Sequence, residues 1–195
     1  MNILSIDVDW CLSNLHQQSL IKLFYSKVNK AKYIYFANHH NAILKILPSD
    51  SKYNLFNIDN HHDICYLDEH DEYIKKNLAS IGCWIGLLLY NNKISKLNWV
   101  RNAESVGINS LSEKYLNESK VSFTVDYTLE RLYNHDYDII FVCKSDEWVD
   151  IKYKNLYETF MLSCIELYYQ KTGEVKLDPD IPSILLTLNK VCNEK

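Results

Sequence analysis

Glycine and proline are scarce in this chain, at 4 and 3 of 195 residues. No Gly/Ser- or Pro-rich linker divides it, and no Gly-rich loop of the kind that cradles phosphate is present. Basic clusters are also missing: Lys plus Arg is 21 against 25 for Asp plus Glu, a net charge of −4. A phosphate backbone therefore has no obvious partner surface, and nucleic acid is not expected to bind. The longest apolar run, Ile81 to Tyr90, has ten residues, whereas a bilayer span needs roughly 20, so this run is expected to be a core element and no membrane is expected as partner. The six cysteines (Cys11, Cys65, Cys83, Cys143, Cys164 and Cys192) show no C-x-x-C spacing. The start of the sequence lacks a charged region followed by an apolar one. Free thiols and a cytoplasmic location are the expectation. What the chain does have is 47% hydrophobic residues, with 15 Tyr and 4 Trp. That is enough material for one packed domain over residues 1–195.

A short apolar run ending in polar, metal-capable residues recurs along the sequence. Met1 to Ile6 leads into Asp7-Val8-Asp9, and Tyr33 to Ala37 into Asn38-His39-His40. Tyr53 to Ile58 leads into Asp59-Asn60-His61-His62-Asp63, and Tyr137 to Cys143 into Lys144-Ser145-Asp146-Glu147. Between these runs lie helical patterns at Gln18 to Lys27, Asn41 to Leu47, around Asn77 to Tyr90, and at Leu129 to Asn134. A last pattern, Lys154 to Tyr169, has Leu156, Phe160, Cys164 and Leu167 on one face. It predicts a helix packed on its own sheet, with a homodimer surface as the alternative. Lys176 to Pro182 reads as a turn before a last short helix. Strand, loop, helix, strand, repeated, predicts a single-domain α/β fold with a mostly parallel sheet flanked by helices. Ligands of such sheets sit beyond the carboxyl ends of the strands, so residues far apart in sequence can converge there. One acidic residue after one strand is explained as well by helix capping. Four such runs favour a site.

Asp59, His61 and Asp63 stand at i, i+2 and i+4, and an extended segment would point all three to one side. Carboxylate oxygen with imidazole nitrogen suits Mn²⁺, Fe²⁺ or Zn²⁺. Crowding two carboxylates and an imidazole without a cation would cost charge repulsion. Asp7 and Asp9 add two carboxylates, and His39 or His40 adds a nitrogen. Six ligands are about what a two-metal site sharing carboxylates needs. Taken alone, the D-x-D pair also fits a solvated turn, and a histidine doublet is often satisfied by backbone hydrogen bonds.

These residues resemble those of arginases and other ureohydrolases. Ser5-Ile6-Asp7-Val8-Asp9 is similar to their S-x-D-x-D motif, Asp59 to Asp63 to D-A-H-x-D, and Asn38-His39 to D-H. The likeness is nearer to the arginase-like branch that includes peptide arginases, whose pieces E-D-H-x-x-A/V, H/I-D-x-H-x-D-L, W-I and S/L-D-I/L-D-x-F/Y compare with four segments here. These are Ala37 to Ala42, Ile58 to Ile64, Cys83-Trp84-Ile85 with Asn98-Trp99-Val100, and Ile6 to Trp10. The resemblance covers roughly residues 3 to 150 and implies an arginase/deacetylase-like fold. It also implies two Mn²⁺ (or Fe²⁺ or Zn²⁺) bridged by Asp59 and Asp7, one completed by His39 and Asp63, the other by His61 and Asp9. The implied reaction is attack of activated water on a guanidinium carbon, giving urea and an ornithine-type amine. The implied substrate is an arginine-containing peptide or a small guanidino compound. Asp59, Glu147 and His70 are the candidate catalytic residues, with Glu147 gripping the guanidinium and Asp146 in reserve.

The sequence departs from the family in three ways. The D-x-D motif precedes the other two, so the chain would be circularly permuted. Asn38 replaces the Asp before the metal histidine. No histidine occupies the region around Gly82-Cys83-Trp84, which leaves His70 either as the substitute proton carrier or as a surface histidine. Two other functions compete: a two-metal phosphoesterase, and a catalytically degenerate arginase-like domain acting by binding.

Overall fold

The computed structural model describes residues 1–145 and 151–173. Asp146 and Glu147, and the turn expected at 176–182, lie outside the described residues. Six strands form one sheet: β1 (Asn2–Asp7), β2 (Tyr33–Ala37), β3 (Tyr53–Ile58), β4 (Ile94–Val100), β5 (Ser122–Asp126) and β6 (Ile139–Cys143). Their spatial order is β2-β6-β1-β3-β4-β5, and all five pairings are parallel. The expected α/β domain with a parallel sheet between helices is what the chain forms.

Period-two alternation sorts the strand side chains onto two faces. Leu4, Ile6, Phe36, Ile140 and Val142 enter one core together with residues of α1 (Asn14–Lys27) and α5 (Lys154–Thr172). Ile3, Leu55, Phe141 and Cys143 enter the other with α3 (Trp84–Tyr90), Ile74 of α2 (Asp68–Lys75) and Tyr115 of α4 (Ser110–Ser119). Because both faces are covered, the central strands are almost continuously apolar. α5 faces the first core with Tyr157, Phe160, Met161, Cys164 and Ile165, while Leu156 and Leu167 pack at its margin. Ile81 to Tyr90 becomes a 3₁₀ turn followed by α3, whose residues Trp84 to Leu89 are all buried. The five described cysteines are buried and free, and among the described residues no helix is long and apolar enough to cross a membrane.

Local chemistry moves several boundaries. α1 begins at Asn14, four residues before the expected start, because the Ser13 hydroxyl accepts from the His16 N–H at 3.2 Å and caps the helix. The helix expected from Asn41 is a 3₁₀ turn, His40–Lys45, and that expected from Leu129 is a 3₁₀ turn, Glu130–Asn134. Asn77, at φ 58°, follows α2 in the left-handed region, so the helical pattern expected around Asn77 to Tyr90 starts only at Ile81, as the 3₁₀ turn and α3.

The topology places the site. From β1 the chain crosses to β2 on one side, then returns to β3 on the other, which makes the β1/β3 boundary the point where strand order reverses. Ile6 pairs with Ile58 at the carboxyl ends of these two strands. Asp7 and Asp59 are the next residues of each, at the crevice where parallel sheets bind ligands.

Candidate metal centre

Asp7 ends β1 and caps a 3₁₀ turn, its Oδ1 accepting the Asp9 N–H at 3.1 Å. That turn carries Asp9 into the crevice. His40 opens the 3₁₀ turn after β2, with its ring 5.8 Å from that of Phe141 and stacked on it. Asp59, His61 and Asp63 lie in the loop after β3. They do not converge by strand alternation as the sequence suggested. Instead the loop folds back on itself: the His61 N–H donates to Asp59 Oδ1 at 2.7 Å, and Asp63 adopts φ 51°. An Asp in the left-handed region is uncommon. Here the Asp63 carbonyl accepts from the N–H groups of Ile85 at 2.9 Å and Gly86 at 3.2 Å, at the start of α3. Gly86 makes that approach feasible, since a Cβ there would stand 1.9 Å from the Ile64 carbonyl oxygen.

His40 Nδ1 is the focus of one group of acids. It lies 3.2 Å from Asp7 Oδ2, 3.2 Å from Asp59 Oδ2 and 3.0 Å from Asp63 Oδ2. His61 Nδ1 is the focus of a second, 2.8 Å from Asp9 Oδ2 and 3.9 Å from Asp59 Oδ1. Asp7, His40 and Asp59 form one set of three potential metal ligands, and Asp9, Asp59 and His61 another. Asp59 belongs to both, one oxygen turned to each. Two donor atoms about 2.1 Å from a common ion stand roughly 3.0–3.4 Å apart, so the spacing around His40 is that of neighbouring ligands. The donor set therefore fits divalent cations, and the buried His/Asp cluster is a candidate metal site.

The expected ligands Asp7, Asp9, Asp59, His61 and Asp63 are thus brought together. His39 is not: the imidazole in the cluster belongs to His40, because His39 is the half-buried cap of the turn while His40 begins it and is fully buried. Asp7 stands in one set only, whereas the resemblance had it bridging both. His70 is neither a ligand nor a surface residue. Half-buried on α2, it lines a cavity of about 270 Å³ with Asp7, His61, Asp63, Tyr66 and Ser145. Its Nδ1 accepts the Tyr66 N–H at 3.2 Å, which in the neutral ring leaves the proton on Nε2. His62 turns the other way, stacked on Tyr66 at 3.9 Å and accepting the Ile64 N–H at 3.1 Å.

Electrostatics separate these imidazoles. Burial alone would lower His61, but the carboxylates of Asp9 and Asp59 outweigh it and push it up to about 9. Burial is likewise outweighed at His40 by Asp59, Asp63 and Asp7, which hold it well above its ordinary value. His62 is pushed down to about 3 by burial and by its neighbours His61 and His70. Burial also lowers His70. Asp9, Asp59 and Asp63 are raised, first by burial and next by charge, that of Asp7 and Asp59 at Asp9 and that of Asp63 and Asp7 at Asp59. Four carboxylates in this space demand positive charge.

Residues that hold the ligands were less visible in the sequence. The Trp84 indole donates to Asp63 Oδ2 at 2.6 Å, the Trp99 indole to the Asp59 carbonyl at 3.0 Å, and Asn57 Nδ2 to Asp59 Oδ2 at 3.1 Å. Ser5 Oγ shares a 2.6 Å hydrogen bond with His40 Nε2, and the Ser145 hydroxyl donates to Asp7 Oδ2. Three of these, Ser5, Trp84 and Trp99, stand in segments singled out by resemblance, and Ser145 in the polar end of an apolar run. Asn57 carries no signal until the strands are aligned. Comparison of the chain with protein-family models, with curated proteins and with solved structures returns no match.

Proposed function

We propose that this protein is a binuclear-metal hydrolase acting on a guanidino group, an arginine side chain presented by a peptide or a small guanidino compound, to give urea and an amine. The observation that carries the reading is Asp59, whose two oxygens face two separate ligand sets. Asp7, His40, Asp59 and Asp63 would hold one ion, and Asp9, Asp59 and His61 the other. Two divalent cations, with Mn²⁺ first among Mn²⁺, Fe²⁺ and Zn²⁺, lower the pKa of water enough to supply hydroxide near neutral pH.

The cavity supports a cationic substrate over a phosphorylated one. Among the described residues no Lys or Arg lines it, while Asp7 and Asp63 do. A phosphoryl group would meet like charge, and a guanidinium finds acceptors in paired geometry. At about 270 Å³, with Leu67, Ile81 and Val106 on its walls, the cavity is small and largely apolar. That suits a slender side chain with a methylene stem. His70 is the wall residue that, with Nδ1 accepting the Tyr66 N–H, carries its proton on Nε2 and can donate a hydrogen bond from there to the departing amine. Glu147 is retained as the candidate grip on the guanidinium.

The test is urea release by the Mn²⁺-loaded protein from free arginine and from arginine-containing peptides, beside an Asp59→Ala variant. The expected result is urea from the wild type, faster with peptides, and none from the variant. Equal urea from both proteins overturns the reading. So does phosphate release from a phosphomonoester in place of urea.

A further inference from the structure

A second and larger cavity, about 490 Å³, opens beside the carboxyl ends of β4 and β5, and its chemistry is the reverse of the first. Its walls bring hydrogen-bond donors. Arg101, the residue after β4, is held between two rings, its guanidinium 5.3 Å from that of Trp99 and 5.6 Å from that of Tyr127. One nitrogen, Nη2, donates to the Ser105 carbonyl. Among the described residues its buried Nε has no hydrogen-bond partner and no carboxylate pairs with this arginine. Its neighbour Asp126 is engaged elsewhere, by Arg131 at 3.2 Å and Asn98 at 2.7 Å.

Two further donors share the wall. Trp10, 5% exposed, has a buried indole N–H with no acceptor among the described residues. Its ring lies 4.9 Å from that of His16, whose Nδ1 accepts the Leu12 N–H at 3.3 Å, which leaves the proton of the neutral ring on Nε2. Among the described residues the only acid on the wall is Glu130, which is exposed. A fixed positive charge between aromatic faces, beside an orphaned indole N–H, favours an anionic ligand with a flat body that can stack.

The cavity is walled off from the metal centre. Asp9 turns to His61, while the next residue, Trp10, turns here. Asn102 Nδ2 donates to the Trp10 carbonyl at 3.2 Å, and Ser105 Oγ donates to Asn60 Oδ1 at 3.0 Å, which ties the partition together.

We propose that this cavity is a binding site for a small carboxylate carried on a flat apolar body, recognised by Arg101 with Tyr127 and Trp10. The probe is benzoate, with benzamide as the neutral isostere and inorganic phosphate as the anion without a ring. Binding is measured by calorimetry and by the indole N–H resonance of Trp10, assigned with Trp10→Phe. The full chain is used after metal removal, so that benzoate finds no cation and failure here is distinct from failure of the hydrolase reading. The expectation is a benzoate-dependent shift of the Trp10 resonance, with benzamide and phosphate each binding at least about tenfold more weakly. Arg101→Gln should weaken benzoate by about tenfold or more, with Arg101→Lys intermediate. Benzamide or phosphate binding as well as benzoate overturns the proposal, as does unchanged affinity in Arg101→Gln. Should that variant fail to fold, the three probes on the wild type decide alone.

Discussion

Replacing Asp59 with Asn keeps the side chain's size while removing the one charge common to both ligand sets. If the cluster binds two ions in the folded state and not in the unfolded chain, each ion at about 100 times its dissociation constant adds about 2.7 kcal/mol of stability. A domain of this size gains about 2–4 °C in melting temperature per kcal/mol. Mn²⁺ added to the chelator-stripped wild type should therefore raise the midpoint by about 10–20 °C when both sites fill, and by about half that when one does. In Asp59→Asn neither set is complete, and the response should fall below about a quarter of the wild-type value. The metal-free variant should melt no lower than the metal-free wild type at pH 8. Burial disfavours the Asp59 charge, as do Asp63 and Asp7, and the amide removes that repulsion while keeping an oxygen for Asn57 or the His61 N–H. Thermal melts by circular dichroism, with and without Mn²⁺, Zn²⁺ or Fe²⁺, measure both quantities. A wild-type midpoint indifferent to all three metals refutes the reasoning, and so does an undiminished response in the variant.

The metal-free protein should lose stability between about pH 6.5 and pH 9. The His61 value is raised from the ordinary 6.5 to about 9, so its contribution is complete below 6.5 and gone once pH passes 9. The raised carboxylates act with the same sign. Ion binding should reverse the trend, because ligands bind deprotonated, and urea titrations at pH 6.5 and 9 with chelator or Mn²⁺ report both slopes. Trp84→Phe removes the indole donor from Asp63 while keeping an aromatic core, and should weaken metal affinity about 10–100-fold by calorimetry. Gly86→Ala should cost about 3 kcal/mol in urea unfolding, because the added methyl meets the Ile64 backbone rather than a movable side chain.

Which parts of this arrangement the sequence exposes follows from how local their causes are. β2, although an edge strand, and β3 are bounded as their apolar runs are, because most of their residues are buried. β5 (Ser122–Asp126) is an edge strand with no fully buried residue, so its five residues carry no apolar run that marks a strand. β4 shows itself in the sequence only through Asn98-Trp99-Val100. α2 opens with Asp68, Glu69 and Asp71 and buries one residue, Ile74, which leaves too thin a stripe to see. At the site, carboxylates were legible because acidic residues directly after apolar runs are conspicuous. The choice between His39 and His40 was not, since it depends on where a 3₁₀ turn starts against Phe141 on another strand. The spacing of Asp59, His61 and Asp63 was read from strand geometry, yet their convergence comes from a left-handed Asp63 whose carbonyl α3 holds.

The partners of the four acids argue for what the cluster is for. A buried ionic network that exists for stability answers its carboxylates with Arg or Lys, because unpaired burial is expensive. Here, beside the two imidazoles, each acid receives a neutral donor: Ser145 on Asp7, the Asn60 N–H on Asp9 at 3.1 Å, Asn57 on Asp59 and Trp84 on Asp63. Among the described residues no Lys or Arg pairs with any of them, and the two imidazoles offer one nitrogen each to the group. Neutral donors fix where the oxygens point without cancelling their charge. The fold therefore keeps an acid-rich, pre-aimed pocket at its strand switch point, where bound cations would turn that unfavourable burial into coordination. The same logic predicts that Trp84→Phe and Asp59→Asn differ in kind: the first should lower affinity for metal while leaving the number of ions bound at saturation intact, and the second should lower the number itself. Elemental analysis at saturating Mn²⁺ distinguishes them, and equal stoichiometry in both variants would show that Asp59 is not shared between two ions.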